Sequence, residues 1–399
     1  MSAGLVSVLA VAAGVPLALG LLPGLRLPGP LLEILAGVVL GPSVLAWVAP
    51  DATVRALALL GLSFLPFLAG SEVDLRRFRG TLGRSVALPL GISAVAALAV
   101  VLVLLALGVG GAVLLGVALL ATSLGLVVPV LADAGALARP VGQLTVAGAS
   151  AGEVAAVVLL SVGLAGSDVP LPGRLLLLVL LLCALGVVAL AVVGVEHSVR
   201  LTGLVVRLAD TSAQIRVRLT VLLVAGLALA AQSLGFEAIL GAFLAGLLVR
   251  ALDPEPERSH PLYPVKIQAV GYGLLVPVFF VTSGLTLDLD GLVEHPAALA
   301  AVPGFLVALA VVRGLPAWAF RRELTRRELV AVALLQSTSL PFLLAASEIG
   351  IRMRLLDPAT AAGLVAAGLV SVLVFPAVAL TLLPRPSHQP VLLDRPTTR

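Results

Sequence analysis

The sequence predicts an all-α protein that crosses a lipid bilayer many times, and its composition and the lengths of its apolar stretches carry that prediction. Of its 399 residues, 60% are hydrophobic and only 12% are charged. Soluble domains carry about 25% charged residues, so half of the charge that would face water is missing. Apolar residues in such numbers exceed what one globular core can bury, and lipid is the solvent that accommodates them.

About thirteen stretches are long and apolar enough to be spanning helices, which need about 20 mostly apolar residues. The eighth and ninth are short and separated only by the region around 233–235, so counts of twelve and fourteen are the alternatives. No basic residue precedes Arg26, so the first stretch is expected to be a retained span and not a cleaved signal peptide. The predicted spans are 5–22, 31–48, 54–70, 83–107, 110–132, 141–165, 173–195, 214–232, 236–250, 268–286, 298–320, 327–348 and 359–383.

The basic residues indicate how these spans are oriented, because cytoplasmic loops are enriched in lysine and arginine. Twenty of the 25 lysines and arginines lie in or beside the loops after odd-numbered spans or in the C-terminal tail, and four lie beside the loops after even-numbered spans. The N-terminus is therefore expected outside and the C-terminus in the cytoplasm of a cell (inner) membrane. A nucleic-acid partner is excluded, because the positive charge is spread between spans and forms no single patch.

The chain also repeats itself, in pairs of segments that lie seven spans apart. Seven is odd, so the two copies are expected to cross the membrane in opposite directions, as in secondary transporters whose substrate site lies where inverted repeats meet. The sequence thus divides into a first transmembrane half at 1–195 (repeat 1 plus a linking helix), a cytoplasmic linker at 196–213, a second half at 214–383 and a cytoplasmic tail at 384–399. The matched segments are Ile34–Gly41 with Ile239–Gly246, Leu65–Gly70 with Val276–Gly284, and Thr122–Leu124 with Thr338–Leu340.

Hydroxyl residues stand beside glycine or proline in the middle of the fifth and twelfth spans, at Ala121–Pro129 and Gln336–Pro341. Proline removes a backbone donor and disturbs the preceding turn, and backbone freed in this way is tolerated only where it is buried or lines a cavity. Two broken helices would place half-helix ends and the hydroxyls of Thr122, Ser123 and Thr338 around a cation. The alternative is a pair of proline kinks whose hydroxyls bond back to their own helices.

Glu153 is the one acidic residue of the sixth span and lies about a dozen residues from either end. An ionised carboxylate at the bilayer centre costs about 3 kcal/mol, so it is retained where it faces a partner or a wet cavity. Such a group can exchange a proton for a monovalent cation, and Glu153 is therefore the predicted binding residue. A structural carboxylate that is permanently paired is the alternative.

Arg313 is the one basic residue that is not assigned to a loop or the tail, and it lies inside the eleventh span, rather close to its end. A buried guanidinium stays charged and needs acceptors, for which Glu153 or the carbonyls of the broken helices are available. We predict that Arg313 is the charge partner of Glu153 and tunes its pKa. The alternative is that Arg313 extends toward the cytoplasmic residues Arg321 and Arg322.

Other reactive residues predict neither a cofactor nor an enzyme. Cys183 is the only cysteine, and the sequence has no phosphate loop, catalytic serine elbow or zinc spacing. Glu33 and Glu237 open helices, where an acid is ordinary. Four acids at span ends, which are Glu72, Asp74, Asp288 and Asp290, are assigned to water interfaces, with attraction of cations at an entrance as the alternative. The histidines, which are His197, His260, His295 and His388, are assigned to loops or the tail.

Several apolar motifs in order resemble the sodium/hydrogen exchanger domain of bacterial monovalent cation:proton antiporters over residues 5–383. The resemblance implies a thirteen-helix inverted-repeat fold, a homodimer in lipid, and a core domain that moves against a dimerisation domain. It also places the ion site beside crossed broken helices in spans 5 and 12. The motifs are Leu32–Gly37 with Leu40–Ser43, Phe64–Gly70 with Asp74, Leu234–Gly246, and Gly273–Phe280 with Gly284.

The resemblance implies roles for three residues. The family carries an acidic pair on the sixth helix, and Glu153 stands at its second position, whereas the first position holds Gly152, which departs from the pattern. A basic residue on the eleventh helix is usual, and Arg313 stands there. With one titratable acid, we expect electroneutral exchange of one cation for one proton.

The sequence therefore predicts an antiporter in which Na⁺ or K⁺ competes with H⁺ for Glu153, while Thr122, Ser123 and Thr338 complete the shell of the cation. The alternatives are a cation channel or a sodium-coupled symporter of related fold. A further alternative is a non-transporting sensor or scaffold in which Glu153 and Arg313 form a static ion pair.

Overall fold

The computed structural model describes residues 3–21, 29–73, 81–164, 170–197, 214–253, 262–287, 294 and 296–383. All regular secondary structure in these ranges is helical, as the sequence predicts. The helices are α1 Ala3–Leu21, α2 Gly29–Leu40, α3 Ala52–Glu72, α4 Thr81–Ala106, α5 Ala112–Ala118, α6 Leu124–Asp133, α7 Pro140–Leu164, α8 Leu171–His197, α9 Ile215–Ser233, α10 Ala238–Leu252, α11 Leu262–Val270, α12 Val276–Leu285, α13 Pro296–Leu309, α14 Arg326–Gln336, α15 Pro341–Arg352 and α16 Pro358–Leu382.

Two of these helices continue through irregular turns. A π-helical turn at Gly271–Leu275 joins α11 to α12, and another at Ala310–Gly314 continues α13 into a 3₁₀ segment at Leu315–Phe320. π-turns are frequent at functional sites, and the second of them carries Arg313.

Among the described residues, nine helices are long and apolar enough to cross a bilayer. Three shorter apolar helices, α2, α10 and the Pro172–Val187 part of α8, fall in the second, ninth and seventh predicted spans. The fifth predicted span is divided between α5 and α6. Leucines on the outside of the molecule, such as Leu107, Leu176 and Leu190, are at least 70% exposed, as expected where lipid is the solvent. The count of thirteen crossings stays a prediction.

The helices sort into two bundles. The scaffold bundle consists of α1–α3 and α9–α12, and the crossing bundle consists of α4–α7 and α13–α16 with the segments that follow α13. Helix α8 packs on α7, α9 and α10 and so touches both bundles. Each bundle therefore contains three predicted spans from each half of the chain, which is the arrangement expected of two intertwined repeats.

Within the scaffold bundle, α3 and α10 approach until their backbones touch, because each has a glycine at the contact. A Cβ atom on Gly70 would lie 2.3 Å from the carbonyl oxygen of Phe243, and one on Gly246 would lie 2.0 Å from that of Phe67. Small residues allow this approach in membranes, where packing stabilises helix pairs.

The same interface occurs a second time in the scaffold bundle, between α2 and α12. A Cβ atom on Gly37 would lie 2.2 Å from the carbonyl oxygen of Val281, and one on Gly284 would lie 2.1 Å from that of Ile34. The sequence pairs α2 with α10 and α3 with α12 as repeat copies. Each glycine interface therefore joins one copy from each half of the chain, which agrees with inverted repeats.

Some predicted features lie outside the described residues. They include residues 198–213 of the predicted linker, the predicted tail at 384–399, Asp74, Asp288, Asp290, His260, His295 and His388.

Candidate ion-binding site

Both predicted interruptions occur, and they meet in the middle of the crossing bundle. Helix α5 ends at Ala118 and α6 begins at Leu124, whereas α14 ends at Gln336 and α15 begins at Pro341. The backbone N–H of Ser123 donates to the carbonyl oxygen of Thr338 over 3.0 Å, and the Thr122 hydroxyl donates to the carbonyl oxygen of Gln336. The prediction of two crossed, broken helices is confirmed.

The alternative of two simple proline kinks is wrong, because the backbone leaves the helix at both places. Its second part is right, because some hydroxyls do bond back to their own helix. Ser123 and Leu340 have non-helical backbone angles, with φ −78° and ψ 100° for Ser123 and φ −139° and ψ −56° for Leu340. The hydroxyls of Ser337 and Thr338 nevertheless donate back to carbonyl oxygens of α14, those of Ala333 at 2.7 Å and Leu334 at 3.1 Å.

The interruption at 337–340 is held by a residue that the sequence analysis did not single out. The Ser371 hydroxyl on α16 accepts a hydrogen bond from the Ser339 N–H at 3.2 Å, and its single proton lies between two acceptors, the carbonyl oxygens of Gly368 at 2.7 Å and Ser339 at 3.0 Å. Ser371 and Ser339 are both fully buried. One hydroxyl thus satisfies the N–H of a residue that has left the helix and shares its proton with that residue's carbonyl oxygen.

Glu153 lies near the middle of α7, and its side chain is 7% exposed. Among the described residues, its Oε2 atom is buried and has no hydrogen-bond partner. Its carboxyl group is within electrostatic range of Glu72 and Arg313. The permanently paired carboxylate that the sequence left as an alternative is therefore not what the structure contains.

Arg313 points into the crossing and not toward Arg321 and Arg322, so the snorkelling alternative is wrong. Its side chain is 2% exposed. Nε donates to the Thr122 hydroxyl at 2.8 Å, Nη2 to the carbonyl oxygen of Gly148 at 2.7 Å, and Nη1 to the Ser93 hydroxyl at 3.3 Å. Within the described part of the chain, neither a hydrogen bond nor an ion pair within 4.0 Å joins Arg313 to Glu153.

These partners tie three elements together through one side chain. Ser93 belongs to α4, Thr122 to the interruption between α5 and α6, and Gly148 to α7. Carbonyl acceptors for Arg313 could be expected from the sequence but Ser93 could not, because nothing in its local pattern distinguishes it from other serines of apolar helices.

The guanidinium group also lies directly against Gly152. A Cβ atom on Gly152 would be 2.6 Å from Cζ, Nη1 and Nη2 of Arg313. Gly152, which departs from the family pattern, is thus in contact with the buried guanidinium group of Arg313.

A cavity of about 700 Å³ lies between the two bundles beside this site. It is lined by residues of α3, α6, α7, α10 and α11. Ser150 contributes to its wall and precedes Glu153 by three residues, so the two side chains lie on neighbouring positions of one helix face. The wall of the cavity therefore lies within one helical turn of Glu153.

Glu72 lines the same cavity from the other bundle. Its Oε2 atom is buried without a partner among the described residues, and Oε1 accepts a hydrogen bond from the Tyr272 hydroxyl at 3.3 Å. The assignment of Glu72 to a simple water interface was too coarse, because its position at the end of α3 is also the wall of a deep cavity. The sequence pattern shows only the helix end and not the neighbouring bundle.

Comparisons with known proteins agree with this geometry. A family model described as "Sodium/hydrogen exchanger, transmembrane" matches residues 8–383. The "Putative Na(+)/H(+) antiporter YjbQ" of Bacillus subtilis is 30% identical over 351 residues, which are 84% of this chain and 55% of that protein. "K(+) efflux antiporter 3, chloroplastic" of Arabidopsis thaliana is 35% identical over 127 residues, which are 32% of this chain and 15% of that protein. The chain spans about half the length, or less, of these relatives.

A solved structure has a similar fold. The sodium proton antiporter MjNhaP1 of Methanocaldococcus jannaschii at pH 8 superimposes with a TM-score of 0.62 over 96% of this chain and 99% of that chain. The sequence identity is 18%, so the likeness concerns the helix arrangement.

Proposed function

This chain belongs to the sodium/hydrogen exchanger family, and from that premise we propose that it exchanges a monovalent cation, Na⁺ or K⁺, for H⁺ across the cell membrane. The observation that carries the proposal is the Glu153 carboxyl group, which is buried beside the helix crossing and has an oxygen without a partner. An unpaired carboxylate at this depth is unfavourable. A proton or a cation would each remove that cost, so the two compete for one group.

This competition is sufficient for exchange. When Glu153 is empty, its charge has to be moved through an apolar interface, and the crossing bundle is expected to stay in place. When Glu153 holds H⁺ or a cation, its charge is neutralised and the bundle can move. One carboxylate on α7 therefore gives one cation for one proton, which is electroneutral exchange.

The hydroxyls of the crossing differ in what they can offer to a cation. A hydroxyl has one donor and two acceptor lone pairs. Thr122 donates to Gln336 and accepts from Arg313, so one lone pair remains. The Ser123 side chain makes no capping hydrogen bond and is the freer ligand of the two. The Thr338 hydroxyl donates to its own helix and keeps its lone pairs for a cation.

Glu72 supports the proposal from the cavity. A carboxylate in the wall of a low-dielectric cavity raises the local concentration of cations, and Glu72 lies within electrostatic range of Glu153. We infer that cations pass Glu72 before they reach Glu153.

We also propose that the chain works as a homodimer in lipid, with its N-terminus outside and its C-terminus in the cytoplasm. The orientation rests on the distribution of arginines, and the dimer rests on the family resemblance. The alternative of a sensor with a static Glu153–Arg313 ion pair has no support in the contacts of Arg313, which are to uncharged groups.

The proposal is tested by proton flux in proteoliposomes with an imposed pH gradient, to which Na⁺, K⁺ or Li⁺ is added. We expect one or more of these cations to dissipate the gradient in the wild-type protein and none of them in Glu153→Gln, which keeps the shape but not the charge. Glu348→Gln is the matched control, because Glu348 is an exposed acid on α15 of the same bundle, and it is expected to retain wild-type flux.

Two outcomes would contradict the proposal. If the wild-type protein is silent with every cation across the pH range, the exchanger interpretation fails and the sensor and symporter interpretations gain. If cation flux continues without counterflow of protons in a fixed ratio, the protein is a channel or a symporter. An imposed membrane potential that changes the exchange rate would contradict electroneutrality alone.

A further inference from the structure

We propose that the guanidinium group of Arg313 occupies the space over Gly152. The absence of a side chain at residue 152 thereby allows this buried positive charge to lie near Glu153. In consequence, a second acid on α7 and this position of Arg313 exclude each other. The predicted effect on ion flux rests on the proposed exchange function, whereas the predicted effect on the melting temperature does not.

The first support is the way in which the guanidinium group is held. It is nearly inaccessible, and each of its three nitrogens has an acceptor on a different element, namely Thr122, Gly148 and Ser93. A planar group with fixed donor directions makes such a set of bonds in one position only. Arg313 therefore has little freedom to move and keep its partners.

The second support is the space over Gly152. A Cβ atom there would be 2.6 Å from three guanidinium atoms, which is closer than carbon and nitrogen atoms can approach without contact repulsion. Another group of the site shows the same need for space, because a Cβ atom on Gly148 would be 2.3 Å from Nε2 of Gln336. The surface of α7 that faces the crossing thus has no side chain at two successive turns, at Gly148 and Gly152.

The third step concerns what would move if residue 152 gained a side chain. The atoms in the way belong to the end of a flexible arginine and not to the backbone, so α7 itself would stay in place. The guanidinium group would shift, and at least one of its hydrogen bonds would be lost at a buried site. The Thr122 hydroxyl would then lose its donor, and the contact between the two interruptions would loosen with it.

This arrangement accounts for the departure from the family pattern. Where the family has a first acid, α7 has a surface without a side chain at Gly152 and the carbonyl oxygen of Gly148. The guanidinium group of Arg313, from the π-turn after α13, contacts both. Gly152 is therefore a positioning residue that acts through Arg313 on the Glu153 site.

The test is a double-mutant cycle of Gly152→Ala and Arg313→Lys, each alone and together, measured by cation-driven proton flux and by melting temperature in detergent. Lysine has a narrower head group than arginine and leaves space above residue 152. We expect Gly152→Ala to lower the melting temperature through overpacking, and to lower the flux about tenfold because the displaced guanidinium group no longer holds the site in place. In the Arg313→Lys background, the same substitution is expected to change the flux and the melting temperature little, by about twofold or less in flux.

The control is Gly163→Ala on the same helix, where a Cβ atom would meet nothing within 4 Å, and which is expected to behave as the wild-type protein. If Gly152 were needed only for folding, Gly152→Ala would lower the melting temperature equally in the wild-type and Arg313→Lys proteins. That result would overturn the proposal. So would a Gly152→Ala protein with wild-type flux and wild-type melting temperature.

The melting-temperature arm also separates this inference from the proposed function. If the wild-type protein exchanges no cation, the exchange function fails, yet Gly152→Ala must still lower the melting temperature only when Arg313 is present. If Gly152→Ala does not accumulate as a folded protein, recovery of folded protein by the added Arg313→Lys substitution supports the proposal, and failure to recover it contradicts the proposal.

Discussion

The Thr122 hydroxyl shows how a single side chain can hold an ion site together. It donates to the carbonyl oxygen of Gln336 on the opposite interruption and accepts from Nε of Arg313. Its residue is 1% exposed, so neither partner can turn to water if the hydroxyl is removed. One of the hydrogen bonds that hold Arg313 and one of the two between the broken helices therefore depend on the same oxygen atom.

This dependence predicts the outcome of Thr122→Val, which keeps the shape of the side chain and removes the hydroxyl. The buried Nε–H of Arg313 and the Gln336 carbonyl would both lose a partner, at a cost of about 1–3 kcal/mol for each unsatisfied group. We expect a lower melting temperature and a higher apparent KM for the transported cation. Thr122→Ser retains the hydroxyl and is expected to restore most of both properties. Equal behaviour of the valine and serine variants would show that the hydroxyl bonds have no such role.

At the scale of elements, the sequence was most informative where the signal is local. Hydropathy and length predicted where the helices lie, and hydroxyls beside glycine or proline predicted the breaks near Thr122 and Thr338, because a helix that cannot continue is a property of a few neighbouring residues. The partners of Arg313 could not be predicted in this way. Thr122 and Ser93 precede it by 191 and 220 residues, and their identity depends on how the helices pack.

The support of the second interruption is another non-local feature, and it predicts an effect of Ser371→Ala. Removal of this hydroxyl leaves the buried N–H of Ser339 without its partner and takes away a donor that the Ser339 carbonyl oxygen shares with that of Gly368, again at about 1–3 kcal/mol for an unsatisfied group. We expect the melting temperature and the exchange rate to fall together. Thr381→Ala is the matched control, because the Thr381 hydroxyl on the same helix is exposed and bonds only within that helix. A Ser371→Ala protein as stable and active as the control would contradict the assigned support.

At the scale of the whole molecule, the interface between the two bundles differs at its two ends. At one end, Arg250 and Asp253 at the C-terminal end of α10 line the cavity between the bundles. At the other end, Glu237 immediately precedes α10 and forms a 2.6 Å ion pair with Arg352 of α15. The length of α10, about 22 Å at 1.5 Å per residue, separates the two features. The structure is therefore open between the bundles on the cavity side and joined across them on the other.

This asymmetry predicts that a covalent link at the joined end stops exchange. In a Cys183→Ser background, we expect the double variant Glu237→Cys/Arg352→Cys to lose exchange when a short, reducible bifunctional thiol reagent is added, and to recover it with reductant. If the bundles move against each other, a link between α10 and α15 holds the protein with its cavity side open.

The ion pair of Arg139 with Glu328, 2.9 Å long, lies entirely within the crossing bundle and supplies the control. The double variant Arg139→Cys/Glu328→Cys, linked in the same way, is expected to keep its exchange rate, because its two ends would move as one body. Loss of exchange in both linked proteins would mean that the crossing bundle does not move as a unit. Full exchange in the linked Glu237→Cys/Arg352→Cys protein would mean that transport needs no separation of the bundles at this end.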